Sequence, residues 1–205
     1  MAKLGMTIDL KRCMGCHTCA IGCKMQNNVP MGMLWNRVLT EGGEEVDSAK
    51  GEFPNVHKSW MPVACQHCEN APCVKACPVG ATYKDEKGRV LVNYDRCIGC
   101  RYCMASCPYN VRTFNWQKAV RQPDHNYGGA DVPVRKVGVV EKCSMCKERT
   151  DEGLEPMCVK VCPAKARKFG DLDDPNSEVS KAIRERGGEQ LLDHKGTKPQ
   201  IYYLK

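Results

Sequence analysis

Aromatic side chains and long apolar runs are both scarce in this 205-residue sequence. Phe, Trp and Tyr together make up 6% of the chain, and the hydrophobic share is 42% even with cysteine included. No apolar run approaches the ~18 residues that a membrane-spanning helix needs, and the mean hydropathy is −0.49. The sequence therefore predicts no membrane span and provides little apolar core for a chain of this length.

An amino-terminal secretion signal is also missing. The first cysteine is Cys13, which leaves no room before it for an apolar signal segment, and no twin-arginine pair precedes it. We therefore expect the chain either to stay in the cytoplasm or to cross a membrane while bound to a partner that carries the signal.

Cysteine, by contrast, is abundant: the chain has 16, and they form four groups of four with none left over. Groups one and three share the spacing C-x2-C-x2-C-x3-C. Group two has the spacing C-x2-C-x4-C-x3-C, and group four has an 11-residue insertion between its second and third members. In chain order the groups are Cys13, Cys16, Cys19 and Cys23; Cys65, Cys68, Cys73 and Cys77; Cys97, Cys100, Cys103 and Cys107; and Cys143, Cys146, Cys158 and Cys162.

Three kinds of chemistry use cysteines at such spacings. Disulfides suit small secreted domains, but cysteines three residues apart in a helical turn bridge poorly. Structural zinc takes two C-x2-C pairs from separate segments, whereas groups one and three each supply three thiols within seven residues. That run matches the bacterial ferredoxin motif, in which the fourth cysteine binds the neighbouring cluster. Sixteen thiolates in fours predict four [4Fe–4S] clusters.

The groups alternate along the chain in a way that indicates an internal duplication. Arg12-Cys13-x-Gly15-Cys16 aligns with Arg96-Cys97-x-Gly99-Cys100, and Cys73-Val74-Lys75-x-Cys77-Pro78 aligns with Cys158-Val159-Lys160-x-Cys162-Pro163. A two-cluster unit that occurs twice is the simplest explanation.

Between the groups, the sequence predicts short elements and loops. Residues 81–83 and 90–93 flank Asp85-Glu86-Lys87-Gly88, which predicts a β-hairpin. Residues 6–9, 137–140 and 201–204 read as short strands, and residues 177–186 as a solvated helix that Gly187 ends. Residues 40–55 and 118–133 read as loops, and each pair of cysteines four apart is expected on one face of a helical turn.

Several segments of the sequence resemble those of a known protein family. Four segments carry the resemblance: Cys13-Met14-Gly15-Cys16-His17-Thr18-Cys19, Ala71-Pro72-Cys73-Val74-Lys75-Ala76-Cys77-Pro78, Arg96-Cys97-Ile98-Gly99-Cys100-Arg101-Tyr102-Cys103 and Gly196-Thr197-Lys198-Pro199. They are similar to segments of the four-cluster iron–sulfur subunits of molybdopterin oxidoreductases. Dimethyl sulfoxide, polysulfide, thiosulfate, tetrathionate and arsenate reductases contain such subunits. The resemblance covers nearly the whole chain, and the presence of Cys100 argues against the [3Fe–4S] variant that some relatives carry.

The resemblance also implies which cysteines share a cluster. Groups one and four would form one ferredoxin-like unit, groups two and three the other, and each unit would exchange its fourth ligands. The implied sets are Cys13, Cys16, Cys19 and Cys162; Cys143, Cys146, Cys158 and Cys23; Cys65, Cys68, Cys73 and Cys107; and Cys97, Cys100, Cys103 and Cys77. Pairing in chain order, one with two and three with four, is the alternative.

The fold class that follows is α+β, with two ferredoxin-like double-cluster units and loop-rich insertions. We expect one unit in residues 1–60 plus 134–205, the second in residues 61–117, and a connecting loop in residues 118–133.

The net charge of +7 at pH 7 could suggest a nucleic-acid partner. Each oxidised cluster carries about −2, so four clusters bring the loaded protein close to neutrality. We therefore attribute the basic excess to compensation of the clusters and expect no nucleic-acid binding. The basic residues within or beside the groups are Arg12, Lys24, Lys75, Arg96, Arg101, Lys142, Lys147 and Lys160.

Other side chains that attract attention have ordinary explanations. His17 and His67 lie between cysteines but are expected beside the clusters or at the surface, and Trp35, Trp60 and Trp116 are expected to pack around them. No catalytic triad, phosphate-binding loop, flavin motif or carboxylate pair is evident, so we expect no catalytic site in this chain.

The predicted function is electron transfer through four [4Fe–4S] clusters. The resemblance implies a molybdopterin catalytic subunit as one partner and an integral-membrane, quinone-binding subunit or another donor as the second. It also implies a location at the cytoplasmic membrane as part of a complex, on either face. The alternatives are a subunit of a hydrogenase or formate dehydrogenase complex and a stand-alone polyferredoxin.

Overall fold

The computed structural model of the chain describes residues 2–41, 47–118, 128–133 and 135–205. The described residues form short strands and short helices joined by turns. The strands are β1 Leu4–Asp9, β2 Asn36–Glu41, β3 Ser59–Ala64, β4 Thr82–Lys84, β5 Val90–Val92, β6 Thr113–Phe114, β7 Val140–Glu141, β8 Arg167–Asp171, β9 Glu189–Gln190 and β10 Ile201–Leu204. The helices are α1 Thr18–Gln26, α2 Pro72–Lys75, α3 Tyr102–Ala105, α4 Lys147–Asp151, α5 Met157–Lys160 and α6 Glu178–Arg186, with a 3₁₀ turn at Asp193–Lys195.

The largest sheet joins the two ends of the described chain. Its strand order is β8-β1-β10-β9, with β1 parallel to β10 and antiparallel to β8. Met6 and Ile8 of β1 are buried, as are Ile201 and Leu204 of β10. The strands predicted at residues 6–9 and 201–204 are thereby confirmed, and the amino-terminal and carboxy-terminal segments are held in one sheet.

Three antiparallel strand pairs complete the β structure: β2 with β3, β4 with β5, and β6 with β7. The predicted hairpin is β4–β5, in which Tyr83 faces Leu91 across the ladder. Its turn is held by Asp85, whose carboxylate accepts the backbone N–H groups of Lys87 at 3.1 Å and Arg89 at 2.8 Å. Gly88 takes a φ of 79°, which a glycine adopts without a steric penalty.

Two expectations about loops and strands need correction. Thr40 and Glu41, placed in a loop, end strand β2, and β2 pairs with β3 from Asn36↔Ala64 to Glu41↔Ser59. The strand expected at residues 137–140 instead occupies Val140–Glu141. Residues 42–46 and 119–127, which belong to the two predicted loops, lie outside the described residues.

Helix α6 shows the signals that the sequence contains. The Ser177 hydroxyl accepts the backbone N–H of Ser180 at 3.2 Å and caps the first turn. Gly187 ends the helix with a φ of 65°. The predicted helix is thereby confirmed.

The cysteines themselves belong to the core. One buried cluster combines Cys65, Cys68, Cys73 and Cys103 with Val63, Val90, Tyr109 and Val111. Another combines Cys19 and Cys158 with Met6, Ile8, Val38, Met145, Ile201 and Tyr203. Because apolar residues surround the thiols, the fold is organised around the cysteine groups. No helix within the described residues is long and apolar enough to cross a membrane.

Candidate metal centres

Four cavities in the structure are lined by four sets of cysteines. We number them I to IV, and each is lined by one of the sets that the resemblance implies. Cavity I is lined by Cys13, Cys16, Cys19 and Cys162, and cavity II by Cys23, Cys143, Cys146 and Cys158. Cavity III is lined by Cys65, Cys68, Cys73 and Cys107, and cavity IV by Cys77, Cys97, Cys100 and Cys103.

Backbone turns of the same shape hold the thiols of groups one and three. Gly15 and Gly99, which precede the second cysteine of each group, have φ values of 67° and 70°. His17 and Arg101, which follow it, have φ values of 58° and 61°. A positive φ bends the chain sharply, so that successive thiols point into one cavity before the helix begins.

In three groups, the last cysteine is also followed by a turn of the same shape. The third residue after Cys77, Cys107 and Cys162 has a positive φ in each case, and its N–H donates to the carbonyl of that cysteine. These residues are Gly80, Asn110 and Lys165, with N···O distances of 3.3, 3.3 and 3.1 Å. The proline after each cysteine fits this turn because it presets its own φ.

Helices contain the third cysteine of each group, but the predicted pair of cysteines on one helical turn lies within a helix only in group one. Cys19 and Cys23 both lie in α1, whereas Cys73, Cys103 and Cys158 lie in α2, α3 and α5. The fourth members of groups two, three and four follow the ends of those one-turn helices. The fourth thiol therefore leaves the helix axis, and it lines the cavity of the other group in its pair.

The geometry suits a polynuclear group better than a single ion. No three His, Cys, Asp or Glu side chains in the described part of the chain converge closely enough to hold one metal ion. All sixteen thiols are free, and the four of each set stand around a space. Four separated thiols around a cavity match the Cys₄ ligation of a [4Fe–4S] cluster and not a tetrahedral zinc site.

Hydrogen-bond donors point at the sulfur atoms, which is a second test of the fit. Backbone N–H groups of Thr82, Met145, Met157 and Ala166 lie 3.3 to 3.4 Å from the sulfurs of Cys77, Cys143, Cys146 and Cys162, respectively. The Asn27 amide lies 3.6 Å from the Cys23 sulfur. Such donors stabilise negative charge on thiolates and cluster sulfur, so these cavities favour an anionic, sulfur-rich group.

Burial makes a thiolate that has no metal partner unfavourable in the interior. Burial and the nearby thiols Cys143, Cys146 and Cys158 raise the pKa of Cys23 well above its ordinary value. Burial likewise raises the pKa of Cys68 to about 12 and that of Cys158 to about 11. Iron compensates this clustered negative charge, which couples metal binding to folding.

Two buried arginines beside the cavities were missing from the basic residues singled out in the sequence. Arg112 is 4% exposed and Arg167 is 5% exposed. Arg167 lines cavities I and II, and Arg112 lines cavity III. A signal existed in the sequence, because each arginine is the fifth residue after the last cysteine of its group, Cys107 or Cys162.

Between cavities II and III lie Cys65, His67 and Lys142. Cys65 lines both cavities. The His67 ring is buried, its Nδ1 accepts the Val90 N–H at 3.1 Å, and its Nε2 has no hydrogen-bond partner among the described residues. Lys142 donates to the carbonyls of Val90 and Cys143. The His67 and Lys142 side chains therefore lie beside the thiols between cavities II and III.

The remaining histidine and the tryptophans are placed around the outer cavities and the core. His17 is half-buried, with Nε2 3.2 Å from the Asp47 carboxylate. Trp60 covers Gly15, where a Cβ would lie only 2.2 Å from the indole nitrogen. Trp35 is buried, whereas Trp116 is 64% exposed with the Arg101 guanidinium 4.5 Å from its ring centroid.

A wide pocket elsewhere in the molecule contains no cysteine. Tyr94, Arg135, Lys136 and Glu148 are among its lining residues, and Arg135 forms a buried pair with Glu141 at 3.4 Å. Burial raises the pKa of Tyr94 to about 12. Because the cysteines lie outside it, the metal chemistry of the chain belongs to the four smaller cavities.

Comparison with known proteins agrees with this geometry. A family described as "4Fe-4S dicluster domain" matches residues 56–123 and 132–172, which contain groups two, three and four. The chain belongs to the 4Fe-4S dicluster family. For a member of this family, [4Fe–4S] clusters are the resident cofactors, as the sixteen cysteines indicate.

Relatives of this dicluster protein match it almost from end to end. A putative iron-sulfur subunit of dimethyl sulfoxide reductase from Halobacterium salinarum is 54% identical over 210 residues, covering 100% of this chain and 79% of the relative. The arsenate respiratory reductase iron-sulfur subunit of a Shewanella species is 38% identical, covering 99% and 96%. The thiosulfate reductase electron transfer subunit of Salmonella typhi is 41% identical, covering 88% and 81%.

Proposed function

We propose that this chain is the electron-transfer subunit of an oxidoreductase complex and that it holds one [4Fe–4S] cluster in each of cavities I to IV. The observation that carries the proposal is that the sixteen cysteines line four cavities, one set of four at each, with Cys65 alone lining a second cavity, II, besides its own. The ligand sets are those that line the cavities, with Cys162, Cys23, Cys107 and Cys77 as the exchanged fourth ligands. Pairing in chain order would place Cys23 in the cavity of group two and Cys107 in the cavity of group four. Cys23 instead lines cavity II, and Cys107 lines cavity III.

The cavities adjoin in the order I, II, III, IV, which defines a path for electrons. Arg167 lines I and II, and Cys65 lines II and III. Cys73 of cavity III and Cys103 of cavity IV pack in the same apolar cluster. Cys16 of cavity I and Cys100 of cavity IV are the exposed cysteines, so electrons enter and leave at these two ends.

The clusters supply reversible one-electron chemistry when bound, and the chain supplies everything around them. Its turns and helices fix the distances between neighbouring cavities. Its N–H donors stabilise charge on the sulfurs, and its apolar residues keep water from the interior. No side chain of the protein needs to react, so the chain acts as a non-catalytic subunit.

Two partners complete the proposed function. The catalytic partner is a molybdopterin subunit, in line with the reductases to which the named relatives belong. The second is an integral-membrane, quinone-binding subunit or another electron donor, which places the chain beside the cytoplasmic membrane. These relatives favour a reductase complex over a hydrogenase, a formate dehydrogenase or a stand-alone polyferredoxin.

We also propose two ferredoxin-like units that arose by duplication, one around cavities I and II and one around III and IV. The turns at Gly15 and Gly99, which have nearly equal φ values, support this division. The boundary at residues 60 and 61 falls within β3, Ser59–Ala64. Contacts therefore continue across it, as in the 3.0 Å hydrogen bond from the Tyr203 hydroxyl to the Pro62 carbonyl.

The proposal is tested by metal content and paramagnetic resonance of the anaerobically purified chain. Four clusters predict about 16 iron atoms and a similar amount of acid-labile sulfide for each chain, with little zinc. The reduced protein should show spectra of interacting clusters. Stoichiometric zinc, with iron below half of that value, would contradict the iron–sulfur assignment.

A further inference from the structure

Two buried arginines occupy equivalent positions beside the cavities. Arg112 is the fifth residue after Cys107, and Arg167 is the fifth residue after Cys162. Both follow a Cys-Pro turn with a positive φ at its third residue after the cysteine. Neither forms an ion pair with a carboxylate in the part of the chain that the structure describes. A buried charge needs a counter-charge, and the nearest anionic groups are the thiolates.

Arg167 lies between cavities I and II and lines both of them. Its Nη2 atom lies 3.6 Å from the sulfur of Cys19, a cavity I ligand, and donates to the Asn36 side-chain oxygen at 3.1 Å. Cys158, a cavity II ligand, lines that cavity together with Arg167. One guanidinium therefore acts on ligands of two cavities.

Arg112 lines cavity III and contacts the wall of cavity IV through a hydrogen bond. Its Nη1 atom donates to the Thr82 hydroxyl at 3.3 Å, and its Nη2 atom is buried without a hydrogen-bond partner among the described residues. Thr82 is one of the residues that line cavity IV.

We propose that Arg167 and Arg112 are shared counter-ions, one for each pair of clusters, and that each raises the reduction potentials of both clusters that it separates. The proposal rests on the ligand sets proposed above. Reduction adds one negative charge to a cluster, and a nearby buried cation stabilises that charge. Because one cation lies beside both clusters, neutralising it should lower both of their potentials together.

Exposed lysines near the same cysteines provide matched controls. Lys75 and Lys160 each lie two residues after the third cysteine of a group, but both side chains are exposed. Water and salt screen their charges. Neutralising either lysine should change the reduction equilibria of the clusters by less than about twofold.

The test is a redox titration of the complete, anaerobically loaded chain, followed by paramagnetic resonance. Arg112→Gln should make reduction of two clusters roughly tenfold less favourable, a downward shift of about 59 mV for a one-electron couple. Arg167→Gln should lower the other two midpoints by a similar amount. The lysine controls Lys75→Gln and Lys160→Gln should leave all four close to their original values.

An isosteric variant protects the test against loss of clusters in the glutamine variants. Asn36→Asp places a carboxylate against Arg167 without changing the shape of the side chain, so it should lower the same two midpoints as Arg167→Gln. Four intact clusters with unshifted midpoints in Asn36→Asp, or an equal shift in all four, would overturn the shared counter-ion. A parent chain with fewer than four clusters would instead contradict the proposed function.

Discussion

Cavities I and IV differ from cavities II and III in their access to solvent. Each outer cavity has one exposed ligand, Cys16 or Cys100, whereas the cysteines of the inner cavities are buried or half-buried. Hydrogen bonds from Thr18 lower the pKa of Cys16, while burial raises the pKa of Cys158 to about 11. The regular motif of groups one and three thus supplies the outer cavities, where we propose that electrons pass to and from partners. The interrupted motifs of groups two and four supply the inner cavities.

Removing iron should have the largest effect and should separate the two kinds of cavity. Chelation under oxidising conditions should first extract iron from the outer cavities with most of the secondary structure retained. Loss of the inner iron should then unfold the chain, because six of the eight cysteines of the inner cavities are buried and none is exposed. Iron release and circular dichroism, followed together, measure the two phases. A chain that stays cooperatively folded after complete iron removal would contradict this account.

A substitution at an outer ligand should change one cluster and leave the fold intact. Cys100→Trp removes one iron's protein ligand, so the cluster in cavity IV should become [3Fe–4S] with a higher potential. Quinol-linked turnover of the complex should fall roughly tenfold, because a cluster of higher reduction potential passes its electron on less readily. Paramagnetic resonance of the oxidised variant checks the conversion.

The inner comparator for that substitution is Cys158→Ser. Cys158 is buried in the apolar core, so we expect loss of the whole cluster in cavity II and a lower yield of folded protein. Four intact [4Fe–4S] signals in Cys100→Trp would disprove its ligand assignment. Conversion with undiminished turnover would show that cavity IV lies off the electron path.

A smaller effect is expected from the surface beside cavity IV. Ile98, Tyr102 and Trp116 are 63%, 62% and 64% exposed. Ile98 lines cavity IV with Cys100, and Trp116 packs against Arg101, which lines the same cavity. If a partner docks at this outer site, Trp116→Ala should weaken assembly about tenfold without shifting any cluster potential. The control is Leu154→Ala, which removes another exposed apolar side chain. Equal affinities for both variants and the parent, measured by calorimetry, would place the partner elsewhere.

The local parts of this fold could be predicted from the sequence because their signals are local. The hairpin at Asp85–Gly88 and the helix from Ser177 to Gly187 follow from turn and capping residues. The β2–β3 pair was missed because Asn36 and Arg37 in β2 and Pro62 in β3 do not give a clear strand pattern. The parallel pairing of β1 with β10 depends on residues almost 200 positions apart.

The candidate site shows the same division. Cysteine spacing predicted four groups, a cluster type and short helices, because those depend on neighbouring residues. The buried positions of Arg112 and Arg167 depend on how distant groups pack, so charge counting directed attention to basic residues beside the motifs. Lys75 and Lys160 were among those, and both lie in solvent. Sequence indicates where charge is available, and packing decides which charge faces a cluster.

Anomalous diffraction at the iron edge from crystals of the loaded chain would locate each cluster and identify its four cysteine ligands. We expect four iron-rich peaks in cavities I to IV, each bonded to the four cysteines of its proposed ligand set. Neighbouring peaks should follow the order I, II, III, IV, with Cys16 and Cys100 at the two ends. Peaks bonded to all four cysteines of one group would contradict the proposed ligand sets. So would peaks whose ligands combine groups one and two, or groups three and four.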